Sequence, residues 1–422
     1  MREERSIWSS VDWPTVLLYA ILVFLGWLNI YAAVYDESAH KEIWDPSLNS
    51  GRQLLWIGSS VLIILLIVSL DFRFFDSFAY ILYGLVILLL LAVLVAGREV
   101  AGSTSWFDIG GLRLQPSEFA KFATALALAK YLSMLSFKWS RLRDLFIMGA
   151  IILAPAVLTL FQGDTGTALV FGCFIIVLYR EGLNPMLIVM MMLVVLLFVL
   201  TFMLEREWII GGILGIAVLV VLFSRKTLKK IAIVFGSALL IIGVVTSVDF
   251  FIDEVLKPHQ QNRIKALINP GADPLGYGWN VTQSKIAIGS GGFTGKGYLN
   301  GTQTKFDFVP EQSTDFIFCT LGEERGWIGS IVLIALFVLL LIRVVNIAER
   351  QKSRFARIYG YGVASLIFFH FMVNIGMTIG LFPVIGIPLP FFSYGGSSLW
   401  AFTMLLFVLL KIDAHRMQVY SR

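Results

Sequence analysis

The sequence predicts an all-α, polytopic membrane protein, and three observations lead to that fold class. Of 422 residues, 58% are hydrophobic and only 14% are charged, whereas soluble domains carry roughly 25% charged residues. Apolar runs of about 17 to 25 residues, the length that crosses a bilayer as a helix, recur along the chain. The basic residues are concentrated in the short connections between these runs. We therefore expect residues 1–422 to form a single integral membrane domain.

About twelve transmembrane helices are predicted from these apolar runs. The first run follows a charged head, is too long for the core of a signal peptide and lacks a small-residue cleavage site, so we expect it to be retained as a span. The predicted spans cover residues 13–34, 52–70, 77–97, 117–135, 145–161, 165–180, 185–203, 208–223, 231–248, 316–342, 358–381 and 396–411.

The distribution of basic residues predicts that both termini are cytoplasmic. The segments FKWSRLR, SRKTLKK and RVVNIAERQKSRFAR and the C-terminal tail then all lie on the cytoplasmic side, in agreement with the positive-inside rule. Two long segments face outward, residues 98–116 and a large structured extracytoplasmic loop at about 250–315. The net charge of +5 does not indicate nucleic-acid binding, because the basic residues are dispersed among short loops.

The large outer loop contains a glycine-rich stretch, GSGGFTGKG, at residues 289–297. It does not match the phosphate-binding P-loop, which requires Gly where Ser290 stands and Ser or Thr where Gly297 stands. The simpler interpretation is structural, because glycine supplies positive-φ turns and close helix packing. That interpretation applies to Gly289, Gly291, Gly292, Gly295 and Gly297.

Asp273 lies in the same loop, within the turn DPLG. Pro274 and Gly276 restrict the backbone there, so the carboxylate has few positions open to it and can serve as a general base. The alternative is an Asx-turn in which the side chain only caps the bend. The turn by itself favours the second interpretation.

Three further polar residues lie near the outer ends of predicted spans. Pro116 is a plausible helix start, and Glu118 and Lys121 are three residues apart on one helix face. They predict either an interfacial ion pair with Lys121 snorkelling, or an anion-binding lysine oriented by Glu118. Asp164 lies in a tight connection between two spans, where it fits a turn but is expected close to the mouth of a cavity.

Carboxylates inside predicted spans are functional candidates by default. Glu323 and Glu324 lie several residues into the tenth span, and pairing with Arg325 would account for one of them. His370 and Asn374 lie one turn apart on the eleventh span and are predicted to join helices. The sequence shows no metal-ligand spacing, and Cys173 and Cys319 are expected to be buried fillers.

Four stretches closely resemble motifs of the SEDS family (shape, elongation, division and sporulation) of bacterial cell-wall glycosyltransferases. They are WFDIGGLRLQPSEFAK, the loop DPLGYGWNVTQSKIAIGSGGFTGKGYLNGTQTKFDFVPEQSTDFIF, GEERGWIG and GIPLPFFSYGGSS. The match runs from about residue 13 to 411, and QSKIAIGSGGFTGKGYLNGTQT is more similar to the rod-shape branch than to the division branch. The resemblance implies a membrane-embedded peptidoglycan polymerase that uses lipid II at the outer face of the cytoplasmic membrane during cell elongation.

The resemblance also implies roles for residues that match the family motifs. Asp273 matches the essential Asp of the family's DPxG turn, which makes it the catalytic candidate. Glu118 and Lys121 match the pair that lines the cavity for the lipid-linked pyrophosphate. The candidate substrate-binding residues within the motifs are Trp106, Arg113, Lys285, Glu311, Asp315, Ser393 and Ser397, with Gly395 and Gly396 beside the last two. Arg52 and Asp164 are further candidates outside the motifs.

The sequence departs from the family pattern at three places. Ser105 stands where relatives usually carry Arg, so the cation for the pyrophosphate is expected from Arg113 or Arg52. Ser313 stands where relatives often have His, so that His is not a required catalyst. Residues 185–248 read as three helices in place of one, which gives a ten-helix core plus an extra hairpin.

The expected reaction is a single displacement in which Asp273 deprotonates the acceptor sugar 4-hydroxyl and cations stabilise the leaving diphosphate, with inversion to a β-1,4 linkage. No cofactor is required, although a divalent cation, Mg or Mn, can assist. The implied partners are a class B penicillin-binding protein transpeptidase and other elongation-complex membrane proteins. The alternatives are a lipid II flippase or other polytopic transporter, and a non-enzymatic scaffold.

Overall fold

The structure, a computed structural model, describes residues 11–36, 41–100, 102–110, 112–190, 193, 206–223, 227–250, 277–305 and 308–416. The chain divides into two compact units, one formed by Met1–Gly182 and Trp279–Arg422 and the other by Leu183–Gly278. Every site residue discussed below, except Asp273, belongs to the described part of the first unit.

Helices dominate both units, which confirms the all-α membrane class. In the first unit they are α1 (Trp13–Ala33), α2 (Asn49–Ser69), α3 (Phe72–Ser77), α4 (Ala79–Ala96), α5 (Pro116–Ser133), α6 (Leu142–Phe161), α7 (Thr165–Val170), α8 (Phe174–Arg180), α12 (Thr302–Lys305), α13 (Ile317–Glu349), α14 (Arg354–Thr378) and α15 (Gly396–Ala414). The second contains α9 (Arg206–Phe223) and α10 (Leu228–Phe250), and α11 (Tyr277–Ser290) begins at its end.

Eleven of the predicted spans coincide with these helices, while most of 185–203 lies outside the described residues. Within the described part of the chain, seven helices are long and apolar enough to cross a membrane: α1, α2, α4, α6, α13, α14 and α15. Helix α5 is not among them because it carries Glu118, Lys121 and Lys130, yet it is buried on most of its surface. Glu118 and Lys121 are therefore placed inside the bundle, whereas Lys130 is part-buried and pairs with Asp76.

Short-range signals set several helix starts. Asp12 caps α1, accepting hydrogen bonds from the Thr15 amide and hydroxyl at 3.2 and 2.9 Å, with a proline in the first turn. Pro116 is the first residue of α5, and Glu118 lies in its first turn, where a negative charge interacts favourably with the helix dipole.

The core of the first unit is built around α5, α14 and α15, the most buried of its long helices. Helix α14 packs against α13 and α5, α5 also packs against α4, and α15 packs against α2. Helix α1 lies against α13. A polar side chain on the inner faces of α5 and α14 is consequently surrounded by protein.

Residues 98–114 form a small antiparallel sheet that the sequence did not predict. Its strands are β1 (Arg98–Val100), β2 (Ser103–Ile109) and β3 (Leu112–Leu114), in the order β1-β2-β3. Nothing in the sequence indicated these strands, because short strands joined by turns have only a weak periodic signal. The sheet leads directly into α5, so it fixes the chain immediately before Pro116.

Both ends of the first unit's described chain meet in one ion-pair cluster. Asp12 accepts hydrogen bonds from Arg343 at 3.0 and 3.1 Å and from Arg350 at 3.0 Å. Arg350 also pairs with Asp413 at the end of α15. Burial disfavours the charged form of Asp12, but hydrogen bonds from Thr15 and Arg343 outweigh it, and the pKa of Asp12 is lowered. The start of α1 and the end of α15 therefore lie at the same end of the helix bundle.

Candidate active site

Several predicted site residues meet where α5 begins. The Gln115 side chain donates to Asp164 Oδ2 at 2.9 Å, and the Gln115 amide donates to Ser397 Oγ at 3.1 Å. Ser397 Oγ in turn lies 3.4 Å from the Arg113 carbonyl. Asp164 also caps α7, accepting from the Thr167 amide and hydroxyl at 2.9 and 2.8 Å. The turn interpretation of Asp164 is thus confirmed, and the same carboxylate braces the start of α5.

A buried charge cluster lies farther along α5. Lys121 Nζ donates to Glu118 Oε1 at 2.7 Å and lies 3.0 Å from His370 Nε2 on α14. The same ammonium lies 5.1 Å from the centroid of the Phe402 ring on α15, a cation–π arrangement. His370 Nδ1 lies 2.9 Å from the Pro388 carbonyl oxygen. Three helices and one irregular segment therefore meet at one lysine.

Snorkelling of Lys121 to the interface, one of the two alternatives for this residue, is wrong. Its side chain is 0% exposed and that of Glu118 is 3% exposed. The physical reason is that α4, α14 and α15 surround α5, so the ammonium finds its partners inside the protein. Glu118 Oε2 is buried and has no hydrogen-bond partner among the described residues. The i,i+3 ion pair itself is confirmed.

The segment between α14 and α15 is irregular, and α14 holds its backbone. Asn374 donates to the Ile387 and Asp315 carbonyls, both at 2.8 Å. The contact of His370 with Pro388 adds a third such bond. These carbonyls belong to non-helical backbone, and at membrane depth such backbone needs hydrogen-bond partners from within the protein. His370 and Asn374 were predicted to join helices. The structure assigns Asn374 to backbone support instead, while His370 reaches a second helix at Lys121.

Residues 313–315 and 389–394 are tied to each other by hydrogen bonds. Ser393 Oγ donates to the Thr314 carbonyl at 2.6 Å and accepts from the Leu389 amide at 2.9 Å. The Tyr394 amide donates to the Ser313 carbonyl at 2.9 Å. Ser393 and Asp315, predicted from two motifs far apart in sequence, are thus brought into one framework.

Helix α2 forms another wall of this framework. Asn49 donates to Ser313 Oγ at 3.0 Å, and the Gly395 amide donates to Gln53 Oε1 at 3.2 Å. Arg52 is exposed and donates to the Pro46 carbonyl at 3.1 Å. Sequence reasoning named Arg52 but missed Asn49 and Gln53. Polar residues in the first turns of an apolar helix were the signal that could have identified them.

Exposed cations surround the framework. Arg113, Arg52 and Lys285 are all exposed, and within the described ranges none of them forms an ion pair with a carboxylate. Lys285 lies beside the turn at Gly380 that ends α14. Ser105 is buried and accepts a hydrogen bond from the Ser103 hydroxyl at 2.9 Å, so that position supplies no charge. Among the predicted contact residues, these three are therefore the exposed cations.

Two further residues predicted to contact substrate, Trp106 and Glu311, lie at the edges of this framework. Trp106 is partly exposed on β2. Glu311 is exposed, adopts a φ of 57° and accepts a hydrogen bond from the Thr314 hydroxyl at 2.8 Å. That bond makes Glu311 a brace for the turn that leads to Asp315.

The glycine-rich stretch is a docking loop. Helix α13 is broken at Gly326, whose φ is 62° and ψ −156°. The Lys296 and Gly297 amides donate to the Glu323 and Glu324 carbonyls at 3.1 and 3.0 Å, and the Trp327 amide donates to the Gly292 carbonyl at 3.0 Å. A Cβ atom on Gly295 would overlap the Glu324 carbonyl. The structural interpretation is confirmed for Gly291, Gly292, Gly295 and Gly297, whereas Gly289 is a helical residue with open space around it.

Glu323 organises this loop from inside α13. Its Oε1 accepts from Lys296 Nζ at 2.6 Å and from the Thr302 and Gln303 amides at 2.8 and 2.9 Å. Its Oε2 accepts from the Thr304 amide and hydroxyl at 3.0 and 2.9 Å. Lys296 is thus the ion-pair partner of Glu323, whereas Arg325, predicted to pair with Glu323 or Glu324, has its guanidinium 5.1 Å from the centroid of the Tyr298 ring. Loop folding, invisible in sequence spacing, brought Lys296 to Glu323 instead.

The loop also reaches α1. The Tyr298 hydroxyl donates to the Leu28 carbonyl at 3.1 Å. Burial, with the nearby Glu324 adding to it, raises the pKa of Tyr298 to about 12. Tyr298 is therefore a neutral anchor at physiological pH.

Asp273, the predicted catalytic residue, lies outside the described residues. Helix α11 begins at Tyr277 shortly after it, and Ser284 on that helix donates to the Thr378 carbonyl at 2.9 Å. Among the described residues no group of three or more His, Cys, Asp or Glu side chains could hold a metal ion.

Comparisons with known proteins bear on this framework. The FtsW/RodA/SpoVE model, described as "Cell cycle protein", matches residues 13–211 and 188–418. The chain belongs to that family. A relative from Treponema pallidum, "Peptidoglycan glycosyltransferase RodA", is 34% identical, with 97% of this chain and 99% of the relative covered. "Peptidoglycan glycosyltransferase MrdB" of Escherichia coli K12 is 32% identical, with 98% and 96% covered.

Solved structures agree with the family assignment. The crystal structure of Thermus thermophilus rod shape determining protein RodA is 27% identical, has a TM-score of 0.62 and is covered over 98% of each chain. A second similar structure is a chain of a peptidoglycan synthase complex, from work on the structural coordination of polymerization and crosslinking. It is 29% identical to this chain with a TM-score of 0.70, and the match covers 98% of this chain and 99% of that one. The helical fold described above is thus that of the RodA membrane proteins.

Proposed function

We propose that this chain is a peptidoglycan glycosyltransferase that polymerises lipid II into β-1,4 glycan strands during cell elongation. The observation that carries the proposal is similarity along almost the whole chain to proteins named peptidoglycan glycosyltransferase. The assembly of distant motifs into one framework around the start of α5 supports it. A scaffold would not require that convergence of polar groups.

The chemistry is a single displacement at the donor's anomeric carbon. Asp273 takes the proton of the acceptor 4-hydroxyl as that oxygen bonds to the carbon, and the diphosphate leaves with the electron pair of the broken bond. Attack opposite the leaving group converts an α-linked donor into a β-1,4 product. Exposed Arg52, Arg113 and Lys285 neutralise the departing charge, with a divalent cation as an alternative source.

Lys121 has a different part in this proposal. Its ammonium is fully buried between Glu118 and His370, so the lysine lies deeper in the bundle than the exposed cations and does not contact the substrate directly. It supplies positive potential at the start of α5 and holds α5, α14 and α15 together beneath the substrate cleft. Glu118, Asp164, Glu311, Asp315, Ser393 and Ser397 shape that cleft.

The proposed orientation places both termini in the cytoplasm and the framework at the outer face of the bacterial inner membrane. The asymmetric distribution of basic loops supports it. The ion-pair cluster that joins Asp12, Arg350 and Asp413 also supports it, because it brings the start of α1 and the end of α15 to one end. The proposed partner is a class B penicillin-binding protein, together with other elongation-complex membrane proteins, in line with the peptidoglycan synthase complex that contains a similar chain.

The test is polymerisation of purified lipid II by the full-length chain in detergent, with and without chelator and with and without the cognate transpeptidase. We expect Asp273→Ala to lower the rate by about 10³-fold or more, because it removes the general base. Asp76→Ala is the matched control, since Asp76 pairs with Lys130 outside the framework, and it should polymerise like the wild type.

Wild-type polymer yield from Asp273→Ala would remove Asp273 from the mechanism. A wild-type chain that moves lipid II across vesicle membranes and yields no glycan strands would instead establish the flippase. The chelator arm separates protein cations from a required divalent ion.

A further inference from the structure

His370 is the one neutral polar side chain that contacts the Lys121 ammonium in the described structure. The other contacts of that ammonium are the Glu118 carboxylate and the face of the Phe402 ring. His370 is itself 0% exposed, and its ring lies edge-on to Phe402 with centroids 4.8 Å apart. The Lys121 side chain is also 0% exposed, so among the described residues its position depends on these few groups.

The hydrogen-bond chemistry fixes the state of the imidazole. The Pro388 carbonyl can only accept, so His370 Nδ1, 2.9 Å away, carries the proton. An ammonium can only donate, so Nε2, 3.0 Å from Lys121 Nζ, offers its lone pair. The ring is therefore a neutral tautomer set by a backbone carbonyl and aimed at a lysine.

The same ring joins two parts of the framework. Pro388 lies in the irregular segment that carries Ser393 and leads to Ser397, and Ser397 contacts Gln115 at the start of α5. Lys121 lies on α5 itself. A shift of the imidazole would thus move the buried cation relative to the segment that shapes the cleft.

We propose that His370 is a positioning residue for glycosyl transfer, holding the Lys121 ammonium through Nε2 in the geometry that the transition state requires. This role rests on the proposed polymerase function and goes beyond it, because it assigns a task to a residue outside the family motifs quoted above. His370 does not touch the substrate. It acts through Lys121, and its own orientation is set by Pro388.

The test compares substitutions of His370 that either keep or remove the hydrogen-bond acceptor at the position of Nε2. His370→Gln retains an acceptor that can reach Lys121, whereas His370→Asn is too short and His370→Leu has no acceptor. We expect His370→Gln to polymerise lipid II within about threefold of the wild-type kcat. We expect His370→Asn and His370→Leu to lose about 10- to 100-fold in kcat with KM changed by less than about threefold, because a displaced cation weakens transition-state stabilisation.

Rates are normalised to monodisperse folded protein, and thermal unfolding in detergent is recorded for each variant. His415→Gln and His415→Asn are matched controls, because His415 is a buried histidine whose Nδ1 also lies 2.9 Å from a backbone carbonyl, that of Lys411, near the other end of the bundle. Both should retain wild-type kcat. They report what the same substitutions cost through packing alone.

Equal kcat for the Gln, Asn and Leu variants would overturn the proposal, as would a Gln variant as slow as Asn at equal stability. If Asn does not purify, Leu supplies the comparison with Gln. An inactive wild type would count against the polymerase function, whereas an active wild type with indistinguishable His370 variants would count only against this role.

Discussion

Two buried carboxylates, each bonded to a lysine, have opposite surroundings in this protein. Glu323 on α13 accepts from Lys296, from three backbone amides and from the Thr304 hydroxyl, so both of its oxygens are occupied. Glu118 on α5 accepts from Lys121, and its second oxygen is buried with no partner among the described residues. Both side chains are 3% exposed or less.

This difference in hydrogen bonding distinguishes a carboxylate with a structural role, Glu323, from one with a proposed functional role, Glu118. A buried carboxylate that is fully hydrogen-bonded stabilises the loop around it, because each of its donors would otherwise be buried unsatisfied. A buried ion pair with an unused oxygen contributes little to stability, since the desolvation of both charges offsets their attraction. We infer that the α13 cluster maintains the glycine-rich loop and that the α5 cluster serves catalysis.

The largest loss of stability, equalled only by the single variant Lys121→Met considered below, is expected from Glu323→Gln. The amide nitrogen of Gln would face donors that need an acceptor, and Lys296 would lose its counter-charge. Breaking such a buried network costs about 3–5 kcal/mol. Thermal and denaturant unfolding in detergent measure the change, with Glu99→Gln, exposed on β1, as the control. A loss below about 1 kcal/mol, the size of a single ordinary hydrogen bond, would show that the hydrogen bonds of Glu323 do not stabilise the loop.

A smaller loss is expected from Gly295→Ala. Its φ of 83° is strained for alanine, and the new Cβ would overlap the Glu324 carbonyl. Strain and overpacking together predict about 2–3 kcal/mol of destabilisation. Gly289→Ala is the matched control because it lies in α11 with nothing within 4 Å of a Cβ, and it should stabilise by about 0.5–1 kcal/mol. Equal stability of the two variants would refute the docking-loop interpretation.

The smallest change in stability is expected from the double variant Glu118→Gln with Lys121→Met. Removing both charges together leaves no unpaired ion, so the free energy of unfolding should fall only by about 1–2 kcal/mol, because the His370 Nε2 acceptor loses its donor. Polymerisation should nevertheless fall by about 100-fold, because the positive potential at the start of α5 is lost. Lys121→Met alone should destabilise by about 3–5 kcal/mol, since it leaves Glu118 charged and buried. A stable double variant with full activity would make this cluster dispensable.

Helix positions were largely predictable from the sequence. Apolar runs of bilayer length reproduce α1, α2, α4, α6, α13, α14 and α15, and Asp12 and Pro116 mark the starts of α1 and α5. The small sheet at residues 98–114 was not predicted, because strands of three to seven residues have too little periodicity. The pairing of Glu118 with Lys121 was predictable because i,i+3 neighbours share a helix face.

Long-range pairings at the site were not predictable. Lys296 is 27 residues from Glu323, and His370 is 249 residues from Lys121, so no local spacing relates them. Sequence proximity offered Arg325 to Glu323 or Glu324, and helix position left snorkelling of Lys121 open as one of two alternatives. Neither could reveal the actual partners of Glu323 and Lys121, because the partners available to a buried charge depend on which elements pack around it.

The sequence by itself determined the membrane class, the helical segments and the local caps, and it supplied the candidate residues of the proposed polymerase site. Those features follow from hydrophobic length and from contacts within a few residues of the chain. Only the tertiary structure decided that Lys121 is enclosed, that α14 supports two irregular backbone segments, and that one buried carboxylate is saturated while the other is not. Burial and hydrogen-bond satisfaction are properties of packed elements, and they emerge only when distant parts of the chain exclude water together.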